Sequence, residues 1–78
     1  MRHTLRLPKL GDTVTEVVIT EWYVAPGEPI NAGQPLLRVE TDKAEVDVPS
    51  PLDGVVVEQL AQVDDEVATG APYAVLEG

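Results

Sequence analysis

Apolar and polar residues alternate along much of this chain, and prolines and glycines cut the alternation into short pieces. Alternation at period two is the mark of a strand with one face buried. His3 to Leu7 alternates, with Leu5 and Leu7 inward. Thr15 to Val24 is rich in β-branched and aromatic residues, which favour strand over helix. Its neighbours Trp22 and Tyr23 must face opposite ways, one toward the core and one partly exposed. Pro26-Gly27 and Asn31-Ala32-Gly33 are turns that leave Pro29-Ile30 room for only a very short strand. Pro35 to Glu40 and Glu45 to Val48 read as a pair of strands. Two prolines in Pro49-Ser50-Pro51 forbid a helix and deny ladder donors. Val55 to about Ala61, a short piece ending at Val67, and Pro72 to Glu77 complete an all-β reading.

The middle of the chain predicts a hairpin with Asp42 and Lys43 at its tip. Thr41 then faces Ala44, Glu40 faces Glu45, Val39 faces Val46, Arg38 faces Asp47 and Leu37 faces Val48. Every rung is consistent: Leu37, Val39, Val46 and Val48 share an apolar face, and Arg38, Glu40, Glu45 and Asp47 a wet one. Asp-Lys is not a favoured type I′ pair, so a type I or distorted turn is expected. Glu40 opposite Glu45 is a like-charge pair, which costs a little stability.

The second half repeats the first. A shift of 37 residues places Val18 on Val55, Ile19 on Val56, Glu21 on Glu58, Ile30 on Val67, Gly33 on Gly70, Pro35 on Pro72 and Glu40 on Glu77. Two similar units follow, residues 1–40 and 41–78 of a single domain, related by a quasi-two-fold axis. Neither is long enough to bury its apolar face alone, so they pack together as a β-sandwich or flattened barrel. The first unit exits at Lys43 and the second at the C-terminus, which places these exits at opposite ends.

The net charge of −9, from 14 acidic and 5 basic residues, argues against nucleic acid or an anionic membrane as partner and favours basic docking surfaces. No apolar run is long enough to span a bilayer. The beginning, Met-Arg-His-Thr, has no targeting pattern. With no cysteine there is neither disulfide nor thiolate site. Ser50 and His3 are the only serine and histidine, so a nucleophilic triad has no basis, and His3 reads as a surface residue. Asp64-Asp65-Glu66 lacks calcium-loop spacing and reads as a solvated turn. An ordinary exposed lysine is a poor nucleophile or base, and Lys43 has acidic neighbours rather than the burial or cationic neighbour a catalytic lysine needs. It is suited instead to modification by another enzyme.

The stretch Val39-Glu40-Thr41-Asp42-Lys43-Ala44 resembles the attachment site of lipoyl domains, the swinging-arm carriers of 2-oxo acid dehydrogenase complexes. The resemblance runs from Leu7-Pro8 to Leu76 and includes Glu21-Trp22, Gly27, Gly33, Pro51 and Gly54. It implies two four-stranded antiparallel sheets, with the lysine hairpin and the termini at opposite ends. It also implies lipoic acid in amide linkage to Lys43, flanked by Glu40, Thr41, Asp42 and Ala44. Leu10, Gly11 and Asp12 would lie beside the hairpin and, with Glu45, serve partner recognition. Leu10 also has a plainer reading, folded back onto the core. The implied partners are a lipoate-attaching enzyme, a thiamine-diphosphate decarboxylase, an acyltransferase core and dihydrolipoamide dehydrogenase. The domain itself is expected to be monomeric and non-catalytic, a piece of a dihydrolipoamide acyltransferase in a bacterial cytoplasm rather than a mitochondrial matrix. A biotin carrier shares the fold but places methionines beside its lysine, where this chain has Asp42 and Ala44. A glycine-cleavage carrier, an unmodified adaptor module and an independent enzyme are further alternatives.

Overall fold

In the computed structural model, which describes residues 1–78, the chain forms eight strands and no helix. They are β1 (Arg2–Arg6), β2 (Glu16–Trp22), β3 (Pro29–Ile30), β4 (Pro35–Glu40), β5 (Glu45–Pro49), β6 (Gly54–Gln59), β7 (Glu66–Ala68) and β8 (Pro72–Glu77). The long β-branched run keeps strand pairing only from Glu16 to Trp22, shorter at both ends than the expected Thr15 to Val24. Two four-stranded antiparallel sheets result, in the orders β1-β8-β6-β3 and β5-β4-β2-β7. Exchanging β1 to β4 with β5 to β8 turns one order into the other, so the topology is two-fold.

The symmetry extends to the irregularities. In β8, Tyr73 is an extra residue between the rungs Leu5–Ala74 and Arg6–Pro72. In β4, Leu36 is extra between Pro35–Pro49 and Leu37–Val48. In the same way Thr20 bulges from β2 against β4, and Val57 from β6 against β8. Each pair of bulges is related by the 37-residue shift. A bulge lets consecutive side chains turn to one face, so both Leu36 and Leu37 are buried, as are both Tyr73 and Ala74. Strict alternation cannot express this.

Loop hydrogen bonds repeat as well. Gly27 N donates to Val56 O at 2.7 Å, and Asp64 N donates to Ile19 O at 2.8 Å. Gly33 and Gly70 share a φ of 86°, a left-handed conformation that glycine adopts without strain. The core consists of 16 buried hydrophobic residues supplied by both sheets, with Leu36, Leu37, Val39, Val48, Val56, Ala74 and Leu76 wholly inaccessible. Neither half has a separate core, which is why each requires the other. Burial pushes the Tyr73 phenol up to about 12. Trp22 is half-buried, with its Nε1 donating to Ala61 O at 3.1 Å, while Tyr23 points outward. Ser50 is buried: its hydroxyl donates to Leu52 O and fixes the crossing after β5. His3 is half-buried rather than a free surface residue, because its rung partner is the core residue Leu76.

Candidate functional site

The β4–β5 hairpin adopts the register that alternation predicts, from Glu40–Glu45 to Leu37–Val48. At its tip Thr41 N donates to Ala44 O at 2.8 Å. Neither Asp42 nor Lys43 has a positive φ, so the tip is not a type I′ turn. The threonine hydroxyl organises it instead. Thr41 Oγ1 accepts from Lys43 N at 3.3 Å and from Ala44 N at 3.1 Å, and donates to Ala44 O at 2.9 Å. Such side-chain-to-backbone bonds are the usual means by which Ser and Thr shape turns.

Lys43 stands exposed at the apex with Asp42 and Ala44, and takes part in none of the three ion pairs of the molecule. Its ammonium is therefore free for a partner. Below it, the outer face of the hairpin is a polar network. Arg38 meets Asp47 at 3.1 Å and Glu45 at 3.4 Å, and Tyr23 donates its hydroxyl to Asp47 at 2.8 Å. Arg38 thus offsets the repulsion between Glu45 and Glu40. The Tyr23 hydroxyl, then the Arg38 guanidinium, hold the Asp47 carboxyl below its ordinary value, and the bond to Asp47 raises Tyr23.

On the other side of the tip lies the loop between β1 and β2. Leu10 and Val14 pack against the core, and Val14 N closes a turn onto Gly11 O at 3.2 Å. Thr69 N donates to Thr15 O and the Thr69 hydroxyl to Val14 O, tying the loop to the turn that follows β7. Loop and hairpin enclose a groove of about 480 Å³, with Leu10, Gly11, Asp12 and Val14 on one wall and Thr41, Asp42, Lys43, Ala44 and Val46 on the other. Leu10, Gly11 and Asp12 are therefore brought to the lysine, and Leu10 does two things at once: it anchors the loop and lines the groove. Glu45 does not line this groove; with Glu40 it borders a second concavity at the tip, beside Thr41, Asp42, Lys43 and Ala44. Sequence reasoning missed Val14, Val46 and Tyr23 as neighbours of this site. The spacing of Val14 from Gly11 and the inward register of Val46 were the available signals.

The termini form a second pair at the far end. Met1 N donates to Gly78 O, and Gly78 N to Met1 O, both at 3.0 Å. β1 leaves this pair, and the loop that follows it ends against the hairpin tip. Strands rise about 3.3 Å per residue, so β1 carries the chain roughly 13 Å from this pair toward that loop, in a molecule 33 Å along its longest axis. Lysine and chain ends lie at opposite poles.

The family model described as biotin-requiring enzyme matches residues 3–76. The acetyltransferase component of the pyruvate dehydrogenase complex of Corynebacterium glutamicum is 46% identical over 70 residues, which are 90% of this chain and 10% of that protein. The chain thus spans about a tenth of the length of that relative. Among solved structures, the lipoyl domain of the 2-oxoglutarate dehydrogenase complex from Azotobacter vinelandii superposes with a TM-score of 0.75 at 24% identity, covering 96% of this chain and 95% of that one. Urea carboxylase from Kluyveromyces lactis gives a TM-score of 0.83 at 22% identity, over 99% of this chain and 6% of that chain. At these identities the two structures speak for the fold.

Proposed function

The chain belongs to the biotin-requiring enzyme family of biotinyl and lipoyl domains, and from that premise we propose that it is a lipoyl carrier domain, part of the acyltransferase component of a 2-oxo acid dehydrogenase complex, with Lys43 as its attachment point. The observation behind this is the apex itself. A free lysine is held on a short hairpin, at the pole opposite the termini, in the sequence Glu40-Thr41-Asp42-Lys43-Ala44. The acetyltransferase relative lends the choice of complex.

The fit between chain and lipoic acid is direct. Attachment requires an accessible amine, and Lys43 Nζ is exposed and unpaired. The deprotonated amine attacks the carbonyl of an activated lipoyl donor held by the attaching enzyme; a C–N bond forms, the activating group leaves, and the amine gives up a proton. A lipoyl group supplies a dithiolane that takes up acyl groups and electrons. The domain's own part is presentation. Its rigid sheets keep the apex clear, and its tether at the far pole raises the local concentration of the arm at each active site. The groove beside Lys43 gives partner enzymes a surface by which to recognise this carrier. On this reading those partners are the decarboxylase, the acyltransferase core and dihydrolipoamide dehydrogenase, and the domain performs no chemistry alone.

Intact mass and peptide mapping after incubation with a lipoate ligase and lipoate, and in parallel with a biotin ligase and biotin, test the proposal. One lipoyl adduct on Lys43, lost in Lys43→Gln with the fold intact, is the expected result. A biotin adduct alone reassigns the chain to biotin carriage, and no adduct on a folded chain removes the carrier reading.

A further inference from the structure

The tip has a two-fold counterpart, and the comparison exposes a role for one side chain. By the 37-residue shift Thr41 corresponds to Gly78, and by the matching of β1 with β5 Ala44 corresponds to Met1. The terminal pair is closed by two main-chain bonds, one in each direction. The tip pair has only one of them, from Thr41 N to Ala44 O. The return bond, from Ala44 N, goes to the Thr41 hydroxyl instead, and Lys43 N joins it there.

Two residues bridge the tip, and a type I′ turn, the form matched to strand twist, needs positive φ at both. Asp42 and Lys43 do not adopt it. The main-chain carbonyl of Thr41 accepts no bond from Ala44 N, so without the hydroxyl the Lys43 and Ala44 amides would be left without a protein partner. The hydroxyl oxygen reaches both and returns its own proton to Ala44 O. It thereby ties the backbone of Lys43 to β4. Thr41 is half-buried, and none of the exposed side chains of Asp42, Lys43 and Ala44 bonds to these amides.

We propose that Thr41 is the positioning residue for modification of Lys43: its hydroxyl holds the lysine backbone at the apex in the one conformation that a modifying enzyme receives. The proposal rests on the attachment reading above and deepens it. Thr41 touches no reacting atom. It acts through the Lys43 and Ala44 amides, so that the attaching enzyme need not order the tip itself; orientation supplied in advance is a direct gain in rate.

The test uses the 78-residue chain with Thr41→Val, which keeps the shape and removes the hydroxyl, and Thr41→Ser, which keeps the hydroxyl. Amide hydrogen exchange at Lys43 and Ala44 and the lipoate ligase rate at Lys43 are measured on both variants. In Thr41→Val the two amides exchange faster while core amides keep their protection, and kcat/KM for ligation falls roughly ten- to a hundredfold. Thr41→Ser restores most of the rate and the protection. Ligation of Thr41→Val at the wild-type rate overturns the proposal. So does slow ligation with unchanged exchange at Lys43 and Ala44, which would make the hydroxyl an enzyme contact. Loss of protection throughout the core also overturns it, since the role would be structural. If the wild-type chain accepts no adduct, the attachment reading fails and the proposal with it, whereas failure of Thr41 alone leaves a normally modified wild type.

Discussion

The two poles of this molecule are built alike and differ in what they present. At one, Met1 and Gly78 pair through their main chains with no residue lifted between them. At the other, Thr41 and Ala44 occupy the same place, and two further residues close the loop and lift a lysine into solvent. The sheets differ in the same sense. The strands of the hairpin sheet carry Glu16, Glu21, Glu40, Glu45, Asp47 and Glu66 against the single cation Arg38. The strands of the other sheet carry Arg2 and Arg6 against Glu58 and Glu77, an even balance. Packing obeys the two-fold axis because both halves must fill one core. Charge and apex chemistry do not obey it, because nothing in the core constrains them. Departures of charge and of apex chemistry therefore mark the positions answering to partners or to local closure, while departures in packing answer to close backbone approaches.

Gly54 is the departure with the largest expected effect on stability. Its counterpart by the shift is Val17, a core side chain, yet a Cβ at Gly54 would lie 2.5 Å from Glu77 O and 3.1 Å from Glu77 C. Both obstacles are backbone, so β8 itself must move and the Met1–Gly78 pair is disturbed. Gly54→Ala should lower stability by about 1–3 kcal/mol, as overpacking does, read as a lower urea midpoint. Ligation at Lys43 should be untouched, since the strain is confined to the other pole. A midpoint unchanged from wild type would mean that the two halves are interchangeable here after all.

A subtler departure pairs Gly27, at φ 94°, with Asp64, at φ 75°, the one non-glycine residue in the left-handed region. Aspartate tolerates that region better than most residues. Gly27→Ala should cost about 1–2 kcal/mol, the penalty of left-handed backbone with a Cβ. Asp64→Gly should shift stability by only about 0.5 kcal/mol, because relief of strain is offset by the wider freedom of glycine in the unfolded chain. Thermal unfolding of both variants decides it. Equal effects would show that the two turns are not held by the same geometry.

These pairs also show how much was legible in the sequence. The eight strands, the hairpin register and the two-fold arrangement follow from alternation, turn residues and the 37-residue repeat, all of which are local or periodic signals. The bulges at Thr20, Leu36, Val57 and Tyr73 did not follow, since a bulge is a decision about pairing that alternation hides. The lysine apex and the loop beside it were legible through the resemblance of Glu40 to Ala44 and the hairpin pattern. Val14 and Val46 were not, because the groove arises where two segments some thirty residues apart meet. The side-chain work of Thr41 and the Tyr23–Asp47 bond are equally invisible in one dimension; each depends on a distance that only the folded chain sets.

The smallest expected effect concerns Asp47, whose counterpart on the other sheet is the uncharged Thr4. The Tyr23 hydroxyl and the Arg38 guanidinium both favour its charged form and lower its folded value beneath 3.8. A carboxyl lowered on folding stabilises the native state above its unfolded value, and that contribution is lost as pH falls through the folded one. The network on the hairpin sheet should therefore loosen only in acid, below about pH 4. Carboxyl NMR across pH 2 to 6 should show Asp47 titrating below the ordinary aspartate value. Tyr23→Phe should raise its midpoint more than Arg38→Gln does, since the tyrosine bond is the larger cause. Because the group is exposed, Asp47→Asn should barely move the unfolding temperature at neutral pH while removing part of the acid sensitivity of the hairpin. An ordinary midpoint for Asp47 in the wild type would show that the Tyr23–Asp47–Arg38 chain is not formed in solution, and the polar asymmetry of the two sheets would then be one of charge alone.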